Sequence, residues 1–293
     1  MILIHFIINP IAGSGNHKIN HKFLQEQFDD TQYEISVKYS LQKGHTTKLT
    51  QESIDENANI IVACGGDGTI NEVASCLIGT STILGIIPLG SGNGLASNLK
   101  ISKNINKAIA LIKKGDIKNI DVGCLNKKFF FSNTGVGFDA LVIKNYESTN
   151  NRKLLSYIKG TLKSLNEISY DNNIKITINN ETIVLKPFMV FVSNSNVLGY
   201  RVSLTPKASL QDGLLDVLIV SKLSTFKMIL FCLLMIFKRH HLLKEVKSYQ
   251  TKSLTISQKD SSYYEMQIDG EHKRIDDPKI DISIKEKTLK LIA

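Results

Sequence analysis

Ile60-Ile61-Val62-Ala63-Cys64-Gly65-Gly66-Asp67-Gly68-Thr69-Ile70-Asn71-Glu72 is the stretch that decides how this chain folds. It opens as an apolar run of strand type. Beyond Thr69 the period changes, and Ile70, Val73, Ala74 and Leu77 recur at the i, i+3, i+4, i+7 spacing of one buried helix face. A strand therefore enters a glycine-rich turn and a helix leaves it. Glycines there let backbone N–H groups approach an anion with no Cβ in the way, and the helix N-terminus adds positive partial charge. Asp67 is out of place in such a cradle unless a cation joins it; a carboxylate beside a polyphosphate is accommodated when Mg²⁺ lies between them. The stretch predicts a nucleotide–metal site. A purely structural turn in a doubly wound sheet is the alternative reading.

The same unit recurs on either side. A strand Ile2–Ile8 runs into Asn9-Pro10-Ile11-Ala12-Gly13-Ser14-Gly15, with a helix expected over His17–Phe28. A strand Glu34–Tyr39 follows, and Gly44-His45-Thr46-Thr47 opens a helix toward Ile54. Strand Thr82–Ile87 is closed by Pro88 and feeds Leu89-Gly90-Ser91-Gly92-Asn93-Gly94, which opens another helix. Asn104 caps a last helix that Gly115 ends. Three glycine turns, each after a strand and before a helix, place three loops at one edge of a parallel sheet, where ligands bind in open α/β sheets.

After about residue 122 strand-like alternation takes over, in Lys128–Ser132, Ile174–Ile178, Thr182–Val192, Leu214–Val220, Ser253–Ser257, Tyr264–Ile268, Lys279–Ile284 and Thr288–Ile292. Two helices interrupt it. Arg152–Ile168 carries Leu155, Ile158, Leu162 and Leu165 on one face, and Ser224–His241 contains the apolar run Met228–Phe237. The polar stretch Ser148–Asn151 before the first of them reads as a loop. The expected organisation is thus an α/β nucleotide-binding domain over residues 1–122. An all-β, antiparallel domain follows over 123–293, its C-terminal tail packing back on the first.

At 293 residues, 42% hydrophobic and 22% charged, the chain can bury sizeable cores. A net charge of +9 favours anionic partners. The sequence has no basic cluster interleaved with aromatics and no helix-turn-helix, zinc-finger or RNA-recognition pattern, which argues against nucleic acid. Cys64, Cys76, Cys124 and Cys232 form no C-x-x-C pair and read as small buried hydrophobes in a reducing compartment. His240-His241 read as a solvated basic helix end, and the histidines show no metal-ligand spacing. Met1–Ile8 lacks the flanks of a signal peptide, and Met228–Phe237 is about half of a membrane span. A cytoplasmic protein is expected.

Together these residues resemble the catalytic domain shared by diacylglycerol kinases, sphingosine kinases and bacterial lipid kinases. The resemblance rests on Asn9-Pro10 with Gly13-Ser14-Gly15, on Gly65–Glu72, on Pro88–Asn93, on Gln211-Asp212-Gly213-Leu214-Leu215-Asp216 and on Ile268-Asp269-Gly270-Glu271. Gly-Gly-Asp-Gly-Thr alone is shared with NAD kinases and phosphofructokinases. The resemblance implies transfer of the γ-phosphoryl of ATP to a lipid hydroxyl, in a cleft between an α/β domain and a β-sandwich domain. By motif position, nucleotide contacts fall on Asn9, Pro10, Ile11, Ala12, Gly13, Ser40, Gly65, Gly66, Asp67, Gly68, Thr69, Ile70, Asn71 and Ser91. It places a structural Mg²⁺ on Asp212 with backbone carbonyls of Ser209 and Leu214, and makes Glu271 the base. Asp67 would hold catalytic Mg²⁺ against the β- and γ-oxygens. A homodimer is a family tendency.

Other readings stand beside these. Asp212-Gly213 and Asp269-Gly270 are also ordinary hairpin turns, and Glu72 is either a catalytic-loop residue or a first-turn acid favoured by the helix dipole. Asn93-Gly94 departs from the Asn-Asp of many bacterial members, which leaves diacylglycerol, a sphingoid base, a monoacylglycerol and a glycolipid all open. Rival functions are a soluble kinase of NAD kinase type and an idle nucleotide- or lipid-binding regulator. The apolar helix Ser224–His241, with Lys238-Arg239 at its end, is either a core helix or a peripheral membrane contact. In the second case Phe231 and Phe237 would face lipid.

Overall fold

The computed structural model describes residues 1–13, 15, 17–42, 44–90, 92–149, 154–168, 173–196, 203–258 and 263–293. Ser91, the expected helix start at Arg152 and part of the polar stretch Ser148–Asn151 lie outside the described residues. The chain divides into two compact units, Met1–Asp121 with Glu286–Ala293, and Val122–Lys285.

The first unit alternates β1 (Ile2–Ile8), α1 (His21–Gln27), β2 (Tyr33–Tyr39), α2 (His45–Asp55), β3 (Ile60–Gly65), α3 (Asp67–Leu77), β4 (Ile83–Pro88), α4 (Gly94–Asn98) and α5 (Ile105–Lys114). The strands lie in the order β2-β1-β3-β4, every pair parallel. β1, β3 and β4 are mostly buried on both faces and read as continuous apolar runs, whereas the edge strand β2 is only half-buried and carries Glu34 and Lys38. Helix α1 begins at His21 and not at His17, because the Asn20 side chain accepts the Phe23 amide and caps it there. Asn104 caps α5 as expected, and Gly115 closes it in the left-handed region.

The remaining strands are β5 (Ile117–Leu125), β6 (Lys128–Phe130), β7 (Asn133–Gly137), β8 (Ile174–Ile178), β9 (Glu181–Leu185), β10 (Pro187–Ser193), β11 (Leu215–Ser221), β12 (Val246–Thr251), β13 (Ser253–Gln258), β14 (Tyr264–Ile268), β15 (Glu271–Ile275) and β16 (Lys279–Ile292). The second unit is an antiparallel β-sandwich. One sheet has the order β12-β11-β10-β7-β14-β15; in the other, β13 pairs with β16 and with β8, and β8 with β9. Phe130, Val136, Ile176, Val190, Val192, Val217, Ile256, Met266 and Ile282 fill the space between the sheets. Helices α6 (Phe138–Glu147), α7 (Leu154–Glu167) and α8 (Thr225–Ile236) supply side chains to a second core, with Phe188, Phe191, Leu218 and Val220 from the outer side of the six-stranded sheet.

Four expectations need correction. The run Thr182–Val192 is two strands in different sheets, because the chain leaves one sheet after Leu185 and Pro187 starts the other. Lys279–Ile284 and Thr288–Ile292 form one long strand, β16, whose end places Leu291 opposite Leu84 of β4. His240 is not a solvated end. It is 3% exposed in a short 3-10 turn, with Nε2 2.9 Å from the Leu204 carbonyl oxygen. All four cysteines are free thiols, with Cys64 and Cys124 buried but Cys76 and Cys232 only half-buried.

Candidate active site

Three turns meet at the carboxyl ends of β1, β3 and β4. Gly13 has φ of +65°, and a Cβ there would lie 2.3 Å from the Leu89 carbonyl oxygen. A Cβ at Gly90 would lie 2.7 Å from Gly66 Cα. The first turn thus presses on the third, and the third on the second, at distances only glycine permits. Side chains fasten the contact. Asn9 Nδ2 donates to Thr69 Oγ1 at 3.3 Å, while Asn9 Oδ1 accepts from the Ile11 amide at 3.1 Å. Asn93, 1% exposed, binds Gly90 through both ends of its amide.

Asp67 opens α3, and its carboxylate is already engaged. Oδ2 accepts from the Asn93 amide at 2.8 Å and Oδ1 from the Gly94 amide at the start of α4. Two backbone amides thus partner the acid, and Asp67 ties the second turn to the third. Each oxygen keeps a further lone pair. At the N-terminus of α3, Gly66 provides no side-chain cap, and space is open where Gly68 would carry a Cβ. The first amides of α3 are thus left without a side-chain cap, with open space beside Gly68, an arrangement that suits an anion.

The other expected nucleotide residues are placed unequally. Gly65 ends β3, Ala12 is buried in its turn, and Pro10 and Ile11 are exposed beside it. Ser40 is buried at the end of β2, its amide 2.9 Å from the Ile8 carbonyl. Asn71 is half-buried. Ile70 is 1% exposed and faces the core, so its side chain is no ligand contact. Glu72 accepts from the Gly44 amide at 3.3 Å, which braces the turn before α2.

In the second unit the Asp-Gly-Glu motif is a tight hairpin, with Asp269 at φ +49° and Gly270 at +78°. Asp269 anchors it. Its carboxylate accepts from the amides of Phe131 at 2.9 Å, Ser132 at 2.7 Å and Asn133 at 3.1 Å. Gln267 Oε1 accepts from the Gly270 amide at 3.0 Å, and its Nε2 donates to Asn133 Oδ1 at 2.8 Å and to Asp139 Oδ2 at 3.3 Å. Burial pushes the Asp139 carboxyl up to about 7. Glu271, the next residue along, is nearly half exposed and pairs with Lys273 Nζ at 2.7 Å. A rigid base thus presents a solvent-facing carboxylate.

Ser209, Asp212 and Leu214 share one loop. Asp212 Oδ1 accepts from the Leu214 amide at 3.1 Å, and Ser209 Oγ from the Gln211 amide at 3.2 Å. The sequence reading missed Asp216, an acid at the start of the otherwise apolar, buried strand β11, and that contrast was the available signal. Its Oδ2 is buried with no hydrogen-bond partner, and burial together with the Asp212 charge pushes its carboxyl up. An orphaned buried carboxylate oxygen beside a second acid suits a hard cation with oxygen ligands. Among the described residues no group of three or more His, Cys, Asp or Glu side chains is placed to hold a metal, so such a site would need the backbone carbonyls.

The Diacylglycerol kinase catalytic domain family matches residues 4–125, and the YegS C-terminal NAD kinase beta sandwich-like domain family matches residues 132–292. A diacylglycerol kinase of Bacillus subtilis (strain 168) is 29% identical over 280 residues, 91% of this chain and 88% of that protein. The crystal structure of a diacylglycerol kinase from Bacillus anthracis str. Sterne superposes with a TM-score of 0.71 at 21% identity, covering 99% of this chain and 96% of the other. An NAD kinase from Archaeoglobus fulgidus, crystallised in complex with ATP, shares the fold at a TM-score of 0.54 and 12% identity, covering 100% and 94%.

Proposed function

Because the chain belongs to the family that joins a diacylglycerol kinase catalytic domain to a YegS C-terminal NAD kinase beta sandwich-like domain, we propose that it transfers the γ-phosphoryl group of ATP to a lipid hydroxyl. Membership makes it a phosphotransferase of the diacylglycerol/lipid kinase family. The lipid acceptor, Mg²⁺ and the residue roles are our reading. The observation that carries it is the uncapped N-terminus of α3, open above Gly68 and wedged between two other glycine turns.

Phosphate oxygens of ATP accept from the first amides of α3, whose dipole favours their charge. The chain has no Walker-type lysine pattern, so the packed turns do the positioning. Asp67, held by Asn93 and Gly94, keeps the second and third turns at a fixed separation while the nucleotide binds. Mg²⁺ would be held through the spare lone pairs of Asp67, and elsewhere by Asp212 and Asp216 with the Ser209 and Leu214 carbonyls, supplying neutralisation of phosphate charge at the first place and loop rigidity at the second. Glu271 accepts the proton of the acceptor hydroxyl as it attacks, since an alcohol is a poor nucleophile at neutral pH. The Asp269 anchor and the Gln267 contact hold the turn that aims it.

The test is ATP turnover against a panel of diacylglycerol, monoacylglycerol, a sphingoid base, NAD and no acceptor. Transfer to one of the lipids is expected; phosphorylation of NAD alone, or no transfer at all, refutes the proposal. Glu271→Gln should lose about a hundredfold or more in turnover, as loss of a general base does, with ATP affinity retained in a binding titration. Retained turnover clears Glu271 of the base role.

A further inference from the structure

Helix α6 is held firmly by its neighbours. Phe138 at its start stacks on Phe188 at 4.5 Å between ring centroids, and Phe231 of α8 sits edge-on to Phe188 at 5.7 Å. Phe231 is thus a core residue, which corrects the expectation that it faces lipid. Helix α7 packs on α6 through small residues. A Cβ at Gly160 would lie 3.2 Å from the Tyr146 backbone nitrogen and 3.4 Å from the Val142 oxygen, so the two backbones touch. Asn145 Nδ2 donates to Ser164 Oγ at 3.0 Å. Ser156, Gly160 and Ser164 are therefore the buried stripe of α7, and the apolar stripe Leu155, Ile158 and Leu162 is exposed.

The strand that leads into α6 makes room for one acid. Asp139 stands in the first turn of α6 and lays its carboxyl against β7. A Cβ at Gly135 would lie 2.2 Å from Asp139 Oδ2 and 2.7 Å from the Val190 carbonyl oxygen. Gly137, at φ +94°, turns the chain from strand to helix where a Cβ would lie 2.5 Å from the Phe188 carbonyl oxygen. Both positions require glycine. What they admit is a carboxyl that no cation meets among the described residues, and burial pushes it up to about 7.

The side chain that meets Asp139 is Gln267, 1% exposed on β14. Its Nε2 donates to Asp139 Oδ2 and to Asn133 Oδ1, and its Oε1 accepts from the Gly270 amide. The bond to Gly270 holds the hairpin whose next residue is Glu271. It forms in one orientation of the Gln267 amide. Turned over, Nε2 would face the Gly270 N–H, donor against donor. Asn133 does not choose between the two orientations, because two carboxamides pair either way round, each able to give its NH2 to the other's oxygen. Asp139 does choose. Its Oδ2 accepts whether or not the other oxygen carries a proton, so it keeps Nε2 on its own side and leaves Oε1 for Gly270.

We propose that Asp139 is a positioning residue for Glu271, acting through the Gln267 amide. Its effect on turnover rests on the base reading of Glu271; its effect on the turn does not. Asp139→Leu removes the carboxyl, and Asp139→Asn keeps an oxygen where Oδ2 stands. In protein labelled with 15N-glycine, the Gly270 amide is assigned by its absence in Gly270→Asn. It should exchange with solvent several-fold faster in Asp139→Leu and at the parent rate in Asp139→Asn. In Asp139→Leu kcat should fall by up to about a hundredfold, the scale of a catalytic group displaced by about 1 Å. The KM for ATP should stay unchanged, and Asp139→Asn should keep the parent kcat. Gln267→Met should cost as much as Asp139→Leu, and the two together no more than either, because both break one link. Asp139→Ala gives the same readings if Asp139→Leu does not fold. An unchanged Gly270 exchange rate in Asp139→Leu, or losses that multiply in the pair, overturns the proposal. So does an unchanged kcat in Asp139→Leu when Glu271→Gln has lost its turnover. No turnover in the parent, or full turnover in Glu271→Gln, refutes the base reading, and the Gly270 exchange then decides alone whether Asp139 sets the turn.

Discussion

Asp67 and Asp139 show how one side chain type serves opposite ends. Asp67 accepts from two backbone amides and joins two turns. Asp67→Asn leaves a single acceptor oxygen for the Asn93 and Gly94 amides, so one buried donor loses its partner at a cost of about 1–3 kcal/mol. A lowered unfolding free energy in a denaturant titration, with impaired phosphoryl transfer, is the expected outcome. Asp139 is buried where charge is disfavoured. Its carboxyl lies near 3.8 when unfolded and is pushed up to about 7 in the fold. Between those values the folded chain holds a proton that the unfolded chain releases, so this group's contribution is full at acid pH and is lost as pH rises toward about 7. Asp139→Asn has no such step. The melting temperature of the parent should fall relative to the variant from about pH 4 to about pH 8, and parallel curves would refute this account.

At the scale of the element, the glycine turns depend on contact between backbones. Gly90→Ala puts a Cβ 2.7 Å from Gly66 Cα and 2.8 Å from Asn93 Oδ1. The turns must part, so ATP affinity should fall several-fold in a binding titration and the thermal midpoint should fall with it. These turns were readable from the sequence, because a change from apolar run to helical period around three glycines is a local signal. The elements that were not readable depend on distant partners. Period shows that α7 has two unlike faces, but the close approach of the α6 backbone at Gly160 decides which one is buried. Both halves of Thr182–Val192 are apolar, so alternation alone reads as one strand; Pro187 was the local mark of the division, since proline opens a strand and does not sit within a central one, and the change of sheet falls around Lys186. In the candidate site, Asp269 was read beside Glu271 as part of a motif. Its work as an anchor for the Phe131–Asn133 amides joins residues far apart in the chain.

On the scale of the whole molecule, the first unit is assembled from two separated pieces of chain. Residues Glu286–Ala293 belong to it. They contribute Leu289, Leu291 and Ile292, each 2% exposed or less, and the Lys287 amide donates to Asp121 Oδ1 at 2.7 Å. Removing residues 286–293 should abolish the unfolding transition of the first unit in calorimetry and leave that of residues 122–285. Loss of the apolar contacts alone amounts to several kcal/mol, about 1.5–3 for each large side chain, which is comparable with the stability of a typical domain.

The split has a further consequence during synthesis. Residues 122–285 are delivered as one uninterrupted piece, whereas the parallel sheet beside α3 stays incomplete until Leu291 is added. Chains stopped at residue 285 and carried clear of the ribosome by an added linker should therefore acquire protease resistance in residues 122–285 and not in residues 1–121.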